Sequence, residues 1–422
     1  MIRYLVAATL VRLADEGTRL ALVLLGLART SDPAVGGAFV AALLVPHVVA
    51  APGVGRATDR AGSPRLLLAV AAAWFGAALA TVALDDELSV GVTLAILVLG
   101  GCAGPALTGA LSSQLRSLVG ADRLPRAFGA DALTYNVAAV AGPTVAAAVA
   151  VAAGAGTATW ILAACALAGA LAVATVPIPS RTPGPDRAGS ASLTAGARAI
   201  ARVPVLRTVT VASSVAQLGL GALGVVTATL ATRAGEPAAA GWLLASLAIG
   251  GLLGSLWWTW RPAPAERAPR IAMLALVGVG ASLSLTAVAP TSLVAVAVLF
   301  VAAGLFLGPC TGALFTTRDA HAADGNVSQV FTLSAGLKVT SAAVGAGLGG
   351  AMSSIQPAVQ LALVGAVPLL AGLVGLLSLG ARRASGRRDP VGPRQRLDRH
   401  APRSTVALLH QDPHRDGIRG RS

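Results

Sequence analysis

A chain of 422 residues that is 55% hydrophobic and only 12% charged does not have the surface of a soluble domain. Its net charge of +14 then reads as basic loops facing anionic lipid, and a nucleic-acid-binding role is set aside. Three cysteines, Cys102, Cys165 and Cys310, fall inside apolar runs, where they imply neither a disulfide framework nor a metal site.

About 20 apolar residues cross a 30 Å hydrocarbon core, and the sequence breaks into a series of such runs. They are placed at 5–28, 35–54, 66–84, 89–115, 127–152, 157–177, 205–231, 238–260, 271–289, 292–316, 327–352 and 358–380. The expected fold is therefore all-α and integral to the membrane, with twelve transmembrane helices. The first run is read as a retained helix, because Arg12, Asp15 and Glu16 interrupt it and no small-residue cleavage site follows.

That first run poses the central question. RLADEGTRL, residues 12–20, puts Arg12, Asp15, Glu16 and Arg19 into an otherwise apolar stretch. Each Asp or Arg at the centre of a membrane helix costs about 2.5 to 3.5 kcal/mol. At 100° per residue the four fall within an arc of roughly 100°. Arg12 and Arg19 each lie three or four residues from both acids, so the set is expected to neutralise itself. Such a face meets other helices or a water-filled cavity; a structural ion-pair cluster locking helix 1 to its neighbours is the alternative.

Further along the chain, His47 lies within the second run after Pro46, Asp131 near the start of the fifth, and Lys338 in the middle of the eleventh. Lys338 is the only lysine in the chain, and unlike Arg a buried Lys can release a proton. Asp131 could instead rest on the positive end of its helix, and His47 could bond a carbonyl freed by Pro46. Gln114, Tyr135, Asn136 and Gln217 are candidates for a substrate cavity, or for pinning helices together. The third, sixth, ninth and twelfth runs carry no charge, which suits helices facing lipid.

TGAL at 108–111 recurs at 311–314. At the same offset Gly101 pairs with Gly304, Phe128 with Phe331, Ala132 with Ala335, Ala139 with Ala342 and Gly142 with Gly345. An even number of spans in the first half makes the two six-helix repeats parallel. The expected organisation is a six-helix bundle over 1–177, a linker over 178–204, a second bundle over 205–380, and a disordered basic tail over 381–422. Arg382, Arg383, Arg387 and Arg388 in that tail read as anchors on anionic lipid.

The basic residues gather in one alternating set of loops, in which Arg116 and Arg318 are counted, and in the tail. The other set has Arg29 and Arg233 and carries Asp85, Asp86 and Glu87. The positive-inside rule then places both termini in the cytoplasm of a multi-pass plasma-membrane protein.

GRATDRAGSPR, residues 55–65, follows the second run and resembles the GxxxDRxGRR signature of the major facilitator superfamily at Gly55, Asp59, Arg60, Gly62 and, one place displaced, Arg65. With the twelve runs, the resemblance covers the chain up to about residue 380. It implies two bundles that rock about a central site, with this loop latching them on the cytoplasmic side. Gly55 is expected to permit a tight helix end and Asp59 to sit against a helix N-terminus. In the fifth run, Ala138, Gly142 and Pro143 resemble the GxxxGPxxGG motif of the family's exporters, with Ala138 for the first Gly and Ala146 and Ala147 for the last pair.

No GxxxxGKS or GxxxxGKT phosphate loop, HExxH motif or Ser/His/Asp set occurs, so an enzyme is not expected and no cofactor is implied. The resemblance to multidrug and siderophore exporters implies proton-coupled export of an amphipathic or hydrophobic small molecule by a monomer. Protonation of Asp15 or Glu16 would release Arg12 or Arg19. The alternatives are a proton-coupled importer of a small metabolite and a non-transporting membrane sensor on the same fold.

Overall fold

The computed structural model describes residues 1–422 apart from 85–86, 181–191, 237–238, 289–291, 353 and 385–422, and apart from the side chains at 33 and 382–384. The sequence readings for Asp85, Asp86, Arg387 and Arg388, and for the side chains of Arg382 and Arg383, lie outside the described residues.

Backbone amides in hydrocarbon must be satisfied within their own segment, and among the described residues the chain is helices and short connections, with no strand. We number α1 (Ile2–Thr30), α2 (Pro33–Arg60), α3 (Pro64–Leu84), α4 (Val90–Gly101), α5 (Leu124–Ala153), α6 (Ala155–Thr175) and the short α7 (Ala195–Arg202). The second series is α8 (Pro204–Arg233), α9 (Ala239–Trp260), α10 (Ala268–Leu285), α11 (Leu293–His321), α12 (Val327–Ala351) and α13 (Pro357–Ala384). Among the described residues, eleven helical segments are long and apolar enough to cross a membrane. The four charges of α1 set it apart from them, although at 29 residues it is long enough.

Local chemistry sets the helix ends. Ser31 ends α1 in the left-handed region at φ 54°, and Asp32 caps α2 by accepting the Ala34 N–H at 2.8 Å, with Pro33 following as first helical residue. Two boundaries differ from the sequence reading. Helix α2 runs on to Arg60, so Gly55 and Asp59 belong to a helix and not to a loop. The run at 89–115 is interrupted: α4 stops at Gly101, and a π-helical turn, Ala106–Ala110, leads into the short turns Leu111–Ser113 and Leu115–Leu118. Pro105 has no N–H to continue the ladder, and the wider turn takes up the mismatch.

The two halves pack alike. In the first, α1 lies against α5 and α6, α3 against α6, and α2 against α4. In the second, α8 lies against α12 and α13, α10 against α13, and α9 against α11. The residue pairs of the repeat fit this symmetry. A Cβ on Gly101 would come 2.1 Å from the Leu43 carbonyl of α2, and one on Gly304 2.1 Å from the Leu247 carbonyl of α9. Gly142 likewise abuts Gly17 of α1, and Gly345 abuts Leu218 of α8. Only glycine allows backbones this close, which is how membrane helices gain packing energy without a hydrophobic drive.

Between the halves, α2 meets α12 and α5 meets α9, again a symmetric exchange. The repeat partners Phe128 and Phe331 stack on one another at 5.9 Å, and Phe315 packs on both. Large apolar side chains of α3, α10 and α13, among them Trp74, Leu274 and Leu377, are exposed on the periphery.

Candidate functional site

Helix α1 carries its four charges on the inside of the bundle, but they do not form one self-neutralising set. Arg12 is 1% exposed and pairs with Asp131 of α5, Nη1 to Oδ1 at 2.7 Å. The expected pairing of Arg12 with Asp15 and Glu16 is thereby corrected. Favourable spacing on one helix is a weak preference, and a buried carboxylate on the neighbouring helix competes better for the guanidinium.

Asp131 is 0% exposed, and each oxygen has partners: Tyr4 Oη donates to Oδ1 at 2.6 Å and Ser112 Oγ to Oδ2 at 2.7 Å. Arg12 also donates to the Asp131 carbonyl at 3.1 Å, to Ser112 Oγ at 2.9 Å and to Thr134 Oγ1, and its guanidinium lies 3.6 Å from the Tyr135 ring centroid. Asp131 is seven residues into α5, beyond the reach of the helix end, so its partner is the cation and not the dipole. This is a densely bonded structural cluster joining α1, α5 and the turns after the π-helical segment, in which the Arg12 Nε alone of the guanidinium nitrogens has no partner among the described residues. Tyr4, Ser112 and Thr134 gave no signal in the sequence, because hydroxyls in apolar runs usually bond their own helix.

The remaining charges of α1 form a smaller group. Arg19 donates to Asp15 Oδ2 at 3.1 Å and pairs with Glu16 Oε2 at 2.9 Å, so two carboxylates share one guanidinium. Asp15 and Glu16 stand roughly 20 Å along α1 at 1.5 Å per residue, near its middle. Gly17, beside them, takes the close approach of Gly142. Pro143 lies inside α5.

His47, 2% exposed, packs against the interrupted part of helix 4, where a Cβ on Gly104 would come 2.4 Å from Nδ1. Its Nε2 is buried without a partner, and Asp15 and Arg19 are the charges that act on it. Lys338 of α12 belongs elsewhere: the groups that act on it are Arg318 and Cys310 of α11. Arg318, counted among the loop residues from sequence, is 2% exposed inside α11, which runs to His321.

The cavity candidates divide. Gln114 is 0% exposed and turned onto its own segment, donating to Ala110 O and Ser113 Oγ, which removes it from the cavity. Asn136 pins α5 to α9 by donating to Ser255 Oγ at 2.8 Å and to Gly251 O at 3.4 Å. Tyr135 faces both halves: besides Arg12 it touches Phe315 at 5.9 Å between centroids, and it acts on Arg318. Gln217 is half-buried on α8 and makes no hydrogen bond among the described residues.

The end of the bundle that carries Arg60 is closed by a separate set. Asp59 accepts the N–H groups of Ser328 and Gln329, the first residues of α12, at 2.9 and 3.0 Å. A carboxylate on a helix N-terminus meets free donors and the positive dipole end together. Gly55 does not end a helix; it admits α12, since a Cβ there would come 2.6 Å from Gln329 Cα. Arg60, Gly62 and Arg65 are exposed and make no bond to the other half among the described residues.

Arg116 adds contacts to Asp319 at 3.5 Å and Asp324 at 2.9 Å, with Ser113 and Ser328 2.8 Å apart beside it. Burial pushes the Arg116 guanidinium below its ordinary value while Asp319 and Asp59 pull it back. Arg116 and Asp319 were missed because both sit at the margins of apolar runs.

Among the described residues, no three His, Cys, Asp or Glu side chains gather as a metal site. A groove among Gly254, Trp257, Leu274, Phe306 and Pro309 is apolar and opens on the outer face. Two parallel bundles, a latch at one end and charges buried between helices define a membrane transporter.

The Major Facilitator Superfamily model matches residues 4–346. The chain belongs to that superfamily, and is a multi-pass membrane transporter and not an enzyme. Its fold is similar to that of the human organic anion transporter MFSD10, with 14% identity and a TM-score of 0.70 over 89% of this chain and 98% of that one. It is also similar to a bacterial homologue of the iron transporter ferroportin in its outward-facing state, with 15% identity and a TM-score of 0.68 over 91% and 99%. The Escherichia coli fucose:proton symporter FucP gives 13% identity and a TM-score of 0.68 over 89% and 98%. No curated protein matches it in sequence.

Proposed function

We propose that this chain is a proton-coupled exporter of an amphipathic small molecule, working by alternating access. The carrying observation is the pair Asp15 and Glu16 sharing the single cation Arg19 on an inward-facing stretch of α1. With both acids ionised the group has one negative charge in excess, and a proton taken up there restores balance. Arg19 is then less tightly held and can turn to another partner. Arg12 is not the group released, because Asp131 holds it.

The loop charges support placing the basic end, with both termini, in the cytoplasm of the plasma membrane. In that orientation the Asp59 latch is on the cytoplasmic side. The 1–177 and 205–380 bundles rock against one another, and binding shifts the population between the two states. Export is the direction favoured by the Ala138–Gly142–Pro143 stretch, whose Gly142 crosses α1 at Gly17, beside Glu16.

The test is proton movement in inside-out vesicles with an acidic interior. Amphipathic compounds added one at a time should dissipate the gradient with wild-type protein and not with the D15N/E16Q variant. Dissipation that persists in folded, inserted D15N/E16Q protein would refute the coupling role.

A further inference from the structure

We infer that Arg318 and Lys338 form an anion-binding site in the second half, and that the carried solute has an acidic group. This deepens the transport reading and rests on it.

The inference starts from charge that has no counterpart. Arg318 is 98% buried; among the described residues its one contact is Nη2 to Ser213 Oγ at 3.4 Å, and its Nε, like that of Arg12, has no partner. Asp319, its neighbour in sequence, is turned to Arg116. Lys338, half-buried on α12, has no hydrogen bond and no ion pair among the described residues, and it stands one turn beyond Ser334, whose hydroxyl lies 3.5 Å from that of Thr210, three residues before Ser213 on α8. Both cations thus border the Thr210–Ser213 turn of α8, and neither has an ion pair among the described residues.

The buried acids of α1 and α5 are engaged within the first half: Asp131 is bound by Arg12, and Asp15 and Glu16 are held by Arg19. An unpaired buried cation is costly, and a structural role for Arg318 would call for an acid or several carbonyls around it, as Arg12 has. A counter-charge brought by a ligand accounts for both cations together. Guanidinium forks match the two oxygens of a carboxylate or phosphate, and an ammonium adds a point charge beside them.

The surroundings suit an amphipathic anion. Tyr135 and Phe315 give aromatic surface next to Arg318, and Gln217, one turn beyond Ser213 on α8, has a free amide. Because Arg318 and Lys338 lie on α11 and α12 while Asp15 and Glu16 lie on α1, solute and proton would occupy different halves.

The experiment uses purified full-length protein in nanodiscs of zwitterionic lipid, so that no headgroup supplies net negative charge. Thermal unfolding is followed with fluorescein, benzoate or inorganic phosphate, and with rhodamine 123 as a cationic dye of similar shape. At least one anion should raise the unfolding temperature of wild type by several degrees, and rhodamine 123 should not. K338M and R318Q should unfold at a higher temperature than wild type without anion, because each removes an unbalanced charge, and both should lose the anion-induced rise; R318K should keep part of it.

A benzoate or fluorescein response without a phosphate response identifies an organic acid, and the reverse identifies a phosphate. The proposal is overturned if no anion stabilises wild type, if K338M and R318Q keep the full rise, or if both variants are less stable than wild type without anion. Binding is read here without flux, so a chain that binds fluorescein but carries nothing would count against the transport mechanism and not against the site.

Discussion

Arg12 and Arg318 are both buried arginines inside long helices, one in each half, yet their surroundings are opposite. Arg12 meets a carboxylate, a carbonyl, two hydroxyls and an aromatic face, whereas Arg318 meets one serine hydroxyl at long range. A satisfied buried charge holds helices together; an unsatisfied one is a cost that binding can relieve. The difference separates scaffold from site within one molecule, and each charge can be tested for the side on which it falls.

The largest effect is expected in the knitted cluster. R12A or D131N should destabilise the protein by about 3 to 5 kcal/mol, because each strands a buried partner. The R12A/D131N double variant should lose less than the sum of the singles. Thermal unfolding in detergent would measure both, and additive losses would show that the pair is not coupled.

Next comes the latch. D59N removes the charge from two hydrogen bonds to the α12 N-terminus, each of the charge-assisted kind that contributes about 1.5 to 3 kcal/mol. The population should shift toward the state open at the basic end, read as faster labelling of a cysteine placed at Thr332. Unchanged labelling would mean that the Arg116 contacts hold that end alone. N136A, which loses the tie to Ser255, should cost about 1 kcal/mol and leave labelling unaltered.

How much of this was legible in the sequence follows from what each residue competes with. The spans were readable because lipid demands long apolar helices, and nothing in the chain offers an alternative. The repeat was readable because its glycines mark equivalent crossings, as Gly101 with Gly304 and Gly142 with Gly345 do. Helix 4 was read as continuous although Pro105 interrupts it, since a membrane proline signals a bend without giving its form.

Pair choice was hardest. Arg12 has acids at good spacing on its own helix, and only the packing of α1 on α5 brings Asp131 closer. Arg318 was read as a loop residue because it stands within a turn of a helix end, where a sequence pattern cannot tell a solvated charge from a buried one. Asp59 was legible by chemistry and misplaced by structure: the acid does meet a helix N-terminus, but from within α2.

The central claim is that carboxylates on α1 couple the proton while other groups bind the solute. Its most direct test is to reconstitute wild type and D15N/E16Q in liposomes and compare two fluxes of one carried probe: exchange at equal pH, and accumulation driven by a pH gradient. The account predicts that D15N/E16Q keeps exchange at a rate close to wild type and loses gradient-driven accumulation. Loss of both in folded protein would place Asp15 and Glu16 in the scaffold or the solute site, and retention of both would remove them from coupling altogether.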